Sequence, residues 1–169
     1  MRRFPFFALA LLSAPAFAAD MTLTVEIPTL KVAEYHRPYV AVWIERDDHS
    51  VAANLAVWYD VKKADGEGTK WLKDMRQWWR RSGREQTMPI DGVSGATRPA
   101  GQHRLRFTDG KPPLGTLAPG HYELVVEAAR EVGGHETQRI AFDWPAKAPV
   151  HLGAKGEQEL GQIDLDLNP

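Results

Sequence analysis

Two hydroxyl side chains lie in a stretch of small residues near the middle of the chain. The stretch runs Asp91-Gly92-Val93-Ser94-Gly95-Ala96-Thr97. Gly92 and Gly95 have no side chain, so a second macromolecule can approach the backbone closely, and unusual backbone angles are tolerated. We therefore interpret the stretch as a small open loop whose hydroxyls, Ser94 and Thr97, an external enzyme can reach and modify.

The same stretch admits two other interpretations. Asp-Gly and Ser-Gly are ordinary turn dipeptides, so the segment could be a surface turn without chemistry. Alternatively, Ser94 could act as a nucleophile, which requires a general base nearby. His103 is the only candidate base close to it in sequence.

The stretch resembles the flavinylation motif of extracytosolic FMN-carrying proteins, an Asp followed a few residues later by Ser/Thr-Gly-Ala-Thr. Asp91 matches the acidic position, Ser94, Gly95 and Ala96 the small core, and Thr97 the acceptor. The resemblance implies a flavin transferase as partner, which uses FAD to attach FMN through its phosphate to the Thr97 hydroxyl. It thus implies FMN as a covalent cofactor, held by a phosphoester bond.

The wider pattern, from Trp71-Leu72 through Trp78-Trp79 to the motif and Arg98, is similar to the DUF2271 family of predicted periplasmic proteins. This similarity covers the chain from about residue 21 to the C-terminus. It departs from the electron-transport FMN-binding domains everywhere except at the motif. It implies a periplasmic electron-transfer protein with a membrane-bound redox partner, such as a PepSY-type component.

Aromatic and basic side chains flank the motif. Trp78 and Trp79 precede it, and their flat faces suit stacking on an isoalloxazine ring. Packing of the helix on a sheet is the alternative, and we favour it for most of this helical face. Arg98 follows Thr97 directly and is the first candidate to bind the phosphodiester of attached FMN, because guanidinium groups bind such oxygens well. A solvated basic patch is the alternative interpretation.

The N-terminal residues are typical of a secretory signal peptide. Arg2 and Arg3 precede an apolar run that ends in a small-residue cleavage pattern near Ala18/Ala19. We expect residues 1–19 to be removed and residues 20–169 to form one domain in the periplasm that does not itself span the membrane. A retained N-terminal anchor is the alternative.

The composition excludes several classes of function. Without the two N-terminal arginines, 19 basic residues face 22 acidic ones, a formal charge of −3, which argues against nucleic acid as a partner. The absence of cysteine excludes thiol catalysis, iron–sulfur clusters and thiolate zinc sites. The six histidines have no metal-binding spacing, and no hydrolase or phosphate-loop motif is present. We therefore predict a redox carrier rather than an autonomous enzyme.

Seven segments alternate apolar and polar residues or are rich in β-branched residues, which predicts strands at 22–27, 39–45, 54–60, 103–107, 121–130, 137–144 and 161–167. Asp47, Asp48 and His49 form the predicted turn of a hairpin, and we favour this turn over a metal cluster. The pattern Leu117-x-Pro119-Gly120-x-Tyr122 is common in immunoglobulin-like sandwiches. The sequence therefore predicts a mainly β protein with an immunoglobulin-like antiparallel β-sandwich.

One helix is predicted between the strands. Trp71, Met75, Trp78 and Trp79 have the spacing of one helical face, which predicts a helix from residue 70 to about residue 81, capped by Thr69. This helix and the following loop form an excursion over residues 70–101. Function in β-sandwiches usually lies on such excursions.

Two further functions remain open from the sequence. One is a cofactor-free exported binding or assembly module that uses the Trp-rich helix. The other is a metal-handling protein that uses the dispersed histidines.

Overall fold

Two stacked β-sheets make up the body of the molecule. The computed structural model describes residues 19–169, so residues 1–18, with most of the predicted signal peptide, lie outside the described residues. The nine strands are β1 (Asp20–Ile27), β2 (Tyr39–Glu45), β3 (Val51–Tyr59), β4 (Ser94–Ala96), β5 (Gly101–Thr108), β6 (Gly120–Ala129), β7 (His135–Trp144), β8 (Val150–Lys155) and β9 (Gln162–Asn168). They form a sheet of order β5-β1-β9-β8 and a sheet of order β4-β3-β2-β6-β7. The predicted β-sandwich is confirmed.

Strand β2 is buried on both faces and separates two hydrophobic cores. Val40, Val42 and Ile44 face the first core, which lies between the sheets. Ala41 and Trp43 face the second core, between the five-stranded sheet and the excursion that covers it. Because both faces are covered, β2 has a nearly continuous apolar sequence rather than a strict alternation.

The Leu-x-Pro-Gly-x-Tyr pattern forms a tyrosine corner. Tyr122 is buried in the first core, and its hydroxyl donates a hydrogen bond of 2.7 Å to the carbonyl oxygen of Ala118. Its ring stacks on Phe142 with 5.8 Å between the ring centroids. This contact fixes the start of β6 in the way that is common in immunoglobulin-like sandwiches.

Two strands were absent from the sequence prediction. β8 is an edge strand with four of its six residues exposed and a glycine near its centre, so its pattern is weak. β4 has three small residues and pairs with β3 in the parallel direction, so the five-stranded sheet is not wholly antiparallel as we had expected. A segment this short has no detectable periodicity.

The prediction of one continuous α-helix over residues 70–81 is wrong. A 3₁₀ segment spans Ala64–Asp74, the backbone breaks at Met75, and the α-helix α1 covers only Arg76–Arg81. Thr69 does not cap a helix, because its hydroxyl donates to the carbonyl oxygen of Gly66 inside the 3₁₀ segment, at 2.7 Å.

A buried carboxylate from the sheet caps α1 instead. Glu127, on β6, accepts hydrogen bonds from the backbone N–H groups of Gln77 and Trp78, at 2.9 and 2.7 Å. These are N–H groups of the first helical turn, which have no partner within the helix. A negative charge is also favourable at a helix N-terminus. The short helix is therefore defined by a residue about fifty positions away.

Folding lowers the pKa of two further carboxylates, Glu45 and Glu136. Burial alone would raise the pKa of Glu45, but hydrogen bonds from Arg139 and Trp43 outweigh this effect and hold its pKa below the ordinary value. Burial also opposes ionisation of Glu136. Backbone N–H groups of residues 157–160 bind its carboxylate and lower its pKa.

These two pKa shifts predict a loss of stability in acid. Because both folded-state values lie below the ordinary 4.5, folding favours the ionised forms, and this contribution is complete above pH 4.5. The free energy of unfolding should therefore fall as the pH decreases from 4.5 through the folded-state pKa values. Urea unfolding in steps of pH measures this fall. Glu136→Gln should be less stable at pH 7 and should lose less stability on acidification; a slope equal to that of the native chain would contradict the assignment.

Candidate functional site

Thr97 directly follows β4, the edge strand of the five-stranded sheet. Its backbone N–H donates a hydrogen bond of 3.2 Å to the carbonyl oxygen of Tyr59 on β3. Thr97 is half-buried, and its neighbours Ala96 and Arg98 are exposed. The residue therefore lies at the surface on a backbone that the sheet holds in place.

The small-residue stretch is an anchored turn rather than the open loop that the sequence predicted. Asp91 and Gly92 form its exposed tip, and Gly92 has a φ of 68°, in the region that favours glycine. Val93 is buried in the second core. The Ser94 hydroxyl accepts a hydrogen bond of 2.8 Å from the N–H of Ile90, which closes the turn. Both sides of the motif are thus tied to the fold.

Gly95 and Arg98 lie against Trp58. A side-chain carbon at Gly95 would be 3.5 Å from the Trp58 ring, which is an ordinary van der Waals contact, so the position has room for a methyl group. The Arg98 guanidinium carbon lies 5.4 Å from the centroid of the same ring, a cation–π contact. The Arg98 side chain therefore lies against Trp58, and Arg98 does not line the cleft beside Thr97 that is described below.

Ser94 and His103 do not form a nucleophile–base pair in this structure. The Ser94 hydroxyl contacts Ile90, and the His103 Nε2 atom lies 2.7 Å from the carbonyl oxygen of Pro99. The His103 ring packs edge-on to Trp58, with the centroids 5.6 Å apart. Among the described residues, no hydrogen bond joins this serine to a histidine.

Thr97 opens on a cleft of about 280 Å³ at one end of the five-stranded sheet. The strands β3, β4 and β6 end there, and β2 begins there, so four neighbouring strands bring their terminal residues together. The lining residues are Tyr35, His36, Arg37, Tyr39, Asp60, Lys63, Trp71, Asp74, Thr97, Ala129, Arg130 and Glu131. The cleft therefore combines a hydroxyl acceptor with aromatic and charged side chains.

The tryptophan that reaches this cleft is Trp71, not Trp78 or Trp79. Trp78 is fully buried in the second core, where its Nε1 atom donates to Asn54 at 2.9 Å. Trp79 is half-buried beside it and does not line the cleft. Trp71 is 45% exposed. The break at Met75 explains the difference, because the 3₁₀ segment before it turns Trp71 out of the predicted helical face.

Two aromatic side chains offer apolar surface to a ligand in the cleft. Tyr35 is 40% exposed, and with Trp71 it belongs to the few large apolar side chains that the described residues leave exposed. Tyr39 also lines the cleft, where burial raises the pKa of its phenol and its hydroxyl donates to the carbonyl oxygen of Gly68. The cleft thus presents aromatic faces together with a neutral hydroxyl.

Arg130 lies at the end of the cleft opposite Thr97. Its side chain is only 6% exposed, and its Nε and Nη2 atoms donate to the Glu159 carboxylate at 2.8 and 3.0 Å. The remaining atom, Nη1, is buried without a hydrogen-bond partner, the only such side-chain atom within residues 19–169. An unpaired buried donor costs roughly 1–3 kcal/mol, so this arrangement lowers the stability of the folded chain.

The histidines do not converge on a metal site in residues 19–169. Among the described residues, the one group with suitable geometry is Glu45, His49 and Glu123. Arg139 donates to both of its carboxylates, at 2.8 and 2.7 Å, and so already supplies the positive charge that a metal ion would bring. Asp47 and Asp48, which flank His49 in the hairpin turn, are exposed and are not part of the group.

Several cleft residues were missed by the sequence analysis, because they come from elements far apart in the chain. Arg130 and Glu131 follow β6, Asp60 follows β3, and Tyr35 to Arg37 precede β2. The run Tyr35-His36-Arg37 before Pro38 was the one local signal, since three side chains with binding capacity stand together in a connection between strands.

Fold and site together define a β-sandwich protein with a hydroxyl-bearing motif on an edge strand beside an aromatic, charged cleft. The family model of DUF2271, described as a predicted periplasmic protein, matches residues 20–162, and the chain belongs to this family. The protein is accordingly periplasmic, in agreement with the predicted signal peptide. No curated protein and no solved structure matches the chain. Within the described part of the chain, no helix has the length and apolar character to cross a membrane.

Proposed function

We propose that the protein is a periplasmic electron carrier with FMN covalently bound to Thr97. The observation that carries the proposal is the position of Thr97, a half-buried hydroxyl residue at the mouth of a cleft with two exposed aromatic side chains. The small residues before it keep the approach open for a modifying enzyme, and the hydrogen bond to Tyr59 holds the backbone still.

A flavin transferase is the partner that performs the attachment. The Thr97 Oγ1 atom attacks the FMN-side phosphorus of FAD, and a new Oγ1–P bond forms as the bond to the AMP phosphate breaks. AMP leaves with the bonding electrons, and a base of the transferase takes the hydroxyl proton.

The cleft residues fit an attached FMN group. Trp71 and Tyr35 offer flat faces for the isoalloxazine ring, and Lys63 and Arg37 offer positive charge for the phosphodiester. When bound, the flavin supplies the electron-transfer chemistry, and the protein supplies its orientation and electrostatic environment. In this proposal Arg98 supports the motif through Trp58, and Lys63 and Arg37 replace it as phosphate ligands.

A covalent tether suits an exported carrier. A dissociated cofactor is diluted outside the cytoplasm, whereas a tethered one has a high effective concentration at its own cleft. The second partner in the proposal is a membrane-bound redox component of the PepSY type, which exchanges electrons with the exposed side of the flavin.

The function is tested by co-expression with a flavin transferase. The purified protein should contain one FMN per chain after denaturation and should be reduced and reoxidised reversibly. Protein made without the transferase is the negative control and should be colourless. Unmodified protein from the co-expression, with tight binding of another ligand, would favour the cofactor-free binding module, for which the exposed Trp71 is the supporting observation.

Trp71 gives a sharper test of where the ring lies. In Trp71→Ala the attached flavin should lose stacking of about 1 kcal/mol, and quenching of its fluorescence by iodide should rise about fivefold. Trp79→Ala is the matched control, since Trp79 is half-buried outside the cleft, and its iodide quenching should equal that of the native chain. Equal quenching in both variants would place the ring elsewhere.

A further inference from the structure

Strand β5 forms a free edge of the four-stranded sheet. Its one neighbour in that sheet is β1, which pairs with it along its whole length, Gly101–Thr108. Within residues 19–169, no hydrogen bond other than those to β1 reaches the backbone of residues 101–107. An edge strand presents a row of unpaired N–H and C=O groups, so β5 can accept an additional strand from another molecule.

Two arginines lie on the outer face of this strand. Arg104 and Arg106 are two residues apart and point to the same side, whereas Leu105 and Phe107 pack on the first core. Both arginines are exposed, and so is Arg98 just before the strand. The arginines of residues 19–169 that form ion pairs with carboxylates are others, namely Arg81, Arg84, Arg130 and Arg139. The edge therefore carries uncompensated positive charge, although the chain as a whole is acidic.

This edge is continuous with the motif. Gly101 begins β5 four residues after Thr97, which is at most roughly 14 Å along an extended chain. His103 packs against Trp58 with 5.6 Å between the ring centroids, and the Arg98 guanidinium contacts the same ring. The start of β5 and the acceptor residue therefore belong to one surface.

We infer that β5 is the docking edge for the flavin transferase, which adds an extended, acidic segment to it while Thr97 enters the transferase active site. The inference rests on the proposed function. The free backbone of β5 supplies main-chain hydrogen bonds, which give strand addition its affinity. Acidic side chains that face Arg104 and Arg106 fix the register and speed the encounter, because opposite charges steer association. Since β4 has only three residues, the neighbouring edge supplies the larger contact.

Attachment kinetics with purified components test the docking. The unmodified chain is mixed with the transferase and saturating FAD, and initial rates are measured from the mass of the FMN-modified chain at several chain concentrations. In Arg104→Glu/Arg106→Glu the KM for the chain should rise about tenfold at nearly native kcat, because repulsion weakens the encounter and leaves Thr97 intact. Lys147→Glu/Lys155→Glu is the matched control. It reverses the same number of exposed charges beside β8, the opposite edge of the sheet, and should keep the native KM.

Hydrogen exchange locates the contact without relying on activity. Thr97→Ala keeps the surface of β5 but accepts no FMN, so its complex with the transferase can be studied at equilibrium. Amides of residues 101–107 that exchange rapidly in the free chain should exchange about tenfold more slowly in the complex, whereas those of β8 should keep their free rates. Protection of another surface with unchanged exchange in β5 would overturn the inference.

The kinetic outcomes separate this inference from the proposed function. If the native chain accepts no FMN, the proposed function fails and the inference fails with it. If FMN is attached and Arg104→Glu/Arg106→Glu keeps the native KM, only the inference is overturned. A fall in kcat at native KM would assign these arginines to the attachment step and would also overturn it. Should the glutamate variant not fold, Arg104→Ala/Arg106→Ala replaces it and should raise KM about threefold.

Discussion

Thr97→Ala is expected to abolish flavin attachment in cells that contain the transferase. The variant lacks the only atom of residue 97 that can form the phosphoester bond, while its backbone hydrogen bond to Tyr59 is retained. Folding should be nearly unaffected, because Thr97 is half-buried and at the surface. Absorbance of the purified protein near the flavin maximum, together with its intact mass, measures the loss. Thr97→Ser keeps a hydroxyl and should retain part of the attachment.

Ser94→Ala is the matched control for the acceptor position. It removes the other hydroxyl of the motif and the hydrogen bond to the N–H of Ile90, which should cost about 1 kcal/mol of stability. Attachment should continue, because the acceptor is at residue 97. Flavin lost in Ser94→Ala and retained in Thr97→Ala would reverse the assignment and place the acceptor at Ser94.

Glu127→Ala should produce the largest loss of stability among single substitutions in the excursion. It removes the acceptor for the N–H groups of Gln77, which is partly buried, and Trp78, which is buried, at the start of α1. Hydrogen bonds to a charged group contribute about 1.5–3 kcal/mol each, so we expect a loss of roughly 3 kcal/mol in the free energy of unfolding. Urea unfolding at neutral pH measures it.

A carboxylate on the same strand serves as the control. Glu123 is partly exposed and hydrogen-bonds Arg139 alone, so Glu123→Ala should cost less than about 1 kcal/mol. Glu127→Gln retains one acceptor oxygen and should lie between the two alanine variants. Equal stability of Glu127→Ala and Glu123→Ala would show that the carboxylate does not cap the helix.

The packing of the excursion links this stability to the site. Val93, at the start of the motif, is buried in the same core as Leu72, Met75 and Trp78. Gly83 is required there, since a side-chain carbon at this position would lie 2.5 Å from the Trp78 ring. Loosening of α1 should therefore also loosen the turn before Thr97, and Glu127→Ala should load FMN less completely than the native chain.

Much of the fold could be predicted from the sequence, because its signals are local. Alternation of apolar and polar residues identified seven strands, and the Leu-x-Pro-Gly-x-Tyr pattern indicated the corner that Tyr122 forms. The missing strands, β4 and β8, lack such signals. β4 contains three small residues, and its pairing with β3 is set by contacts outside its own segment.

The predicted helix over residues 70–81 shows where the local sequence pattern fails to predict the structure. The spacing of Trp71, Met75, Trp78 and Trp79 predicted a single α-helical face, but the chain changes from 3₁₀ to α conformation at Met75. The determinant is Glu127, on a strand that the excursion reaches only in the folded protein. Tertiary hydrogen bonds of this kind override weak local propensity.

The site was predictable only in part for the same reason. Seven consecutive residues suggested Thr97 as an acceptor, because the motif is contiguous in sequence. The cleft beside it is assembled from the ends of four strands and the 3₁₀ segment, so neither Arg130 nor Tyr35 was predicted. Trp78 and Trp79 were chosen for their closeness in sequence to the motif, whereas exposure in the folded chain favours Trp71.

Peptide mapping of the protein co-expressed with a flavin transferase tests the central proposal most directly. Because the bond after Arg98 precedes a proline and resists trypsin, the motif lies in the tryptic peptide of residues 85–104. We predict one FMN on this peptide, and fragmentation of the peptide should assign the FMN to Thr97. A flavin-containing chain whose modified residue lies in any other peptide, or a chain that stays unmodified beside an active transferase, would contradict it.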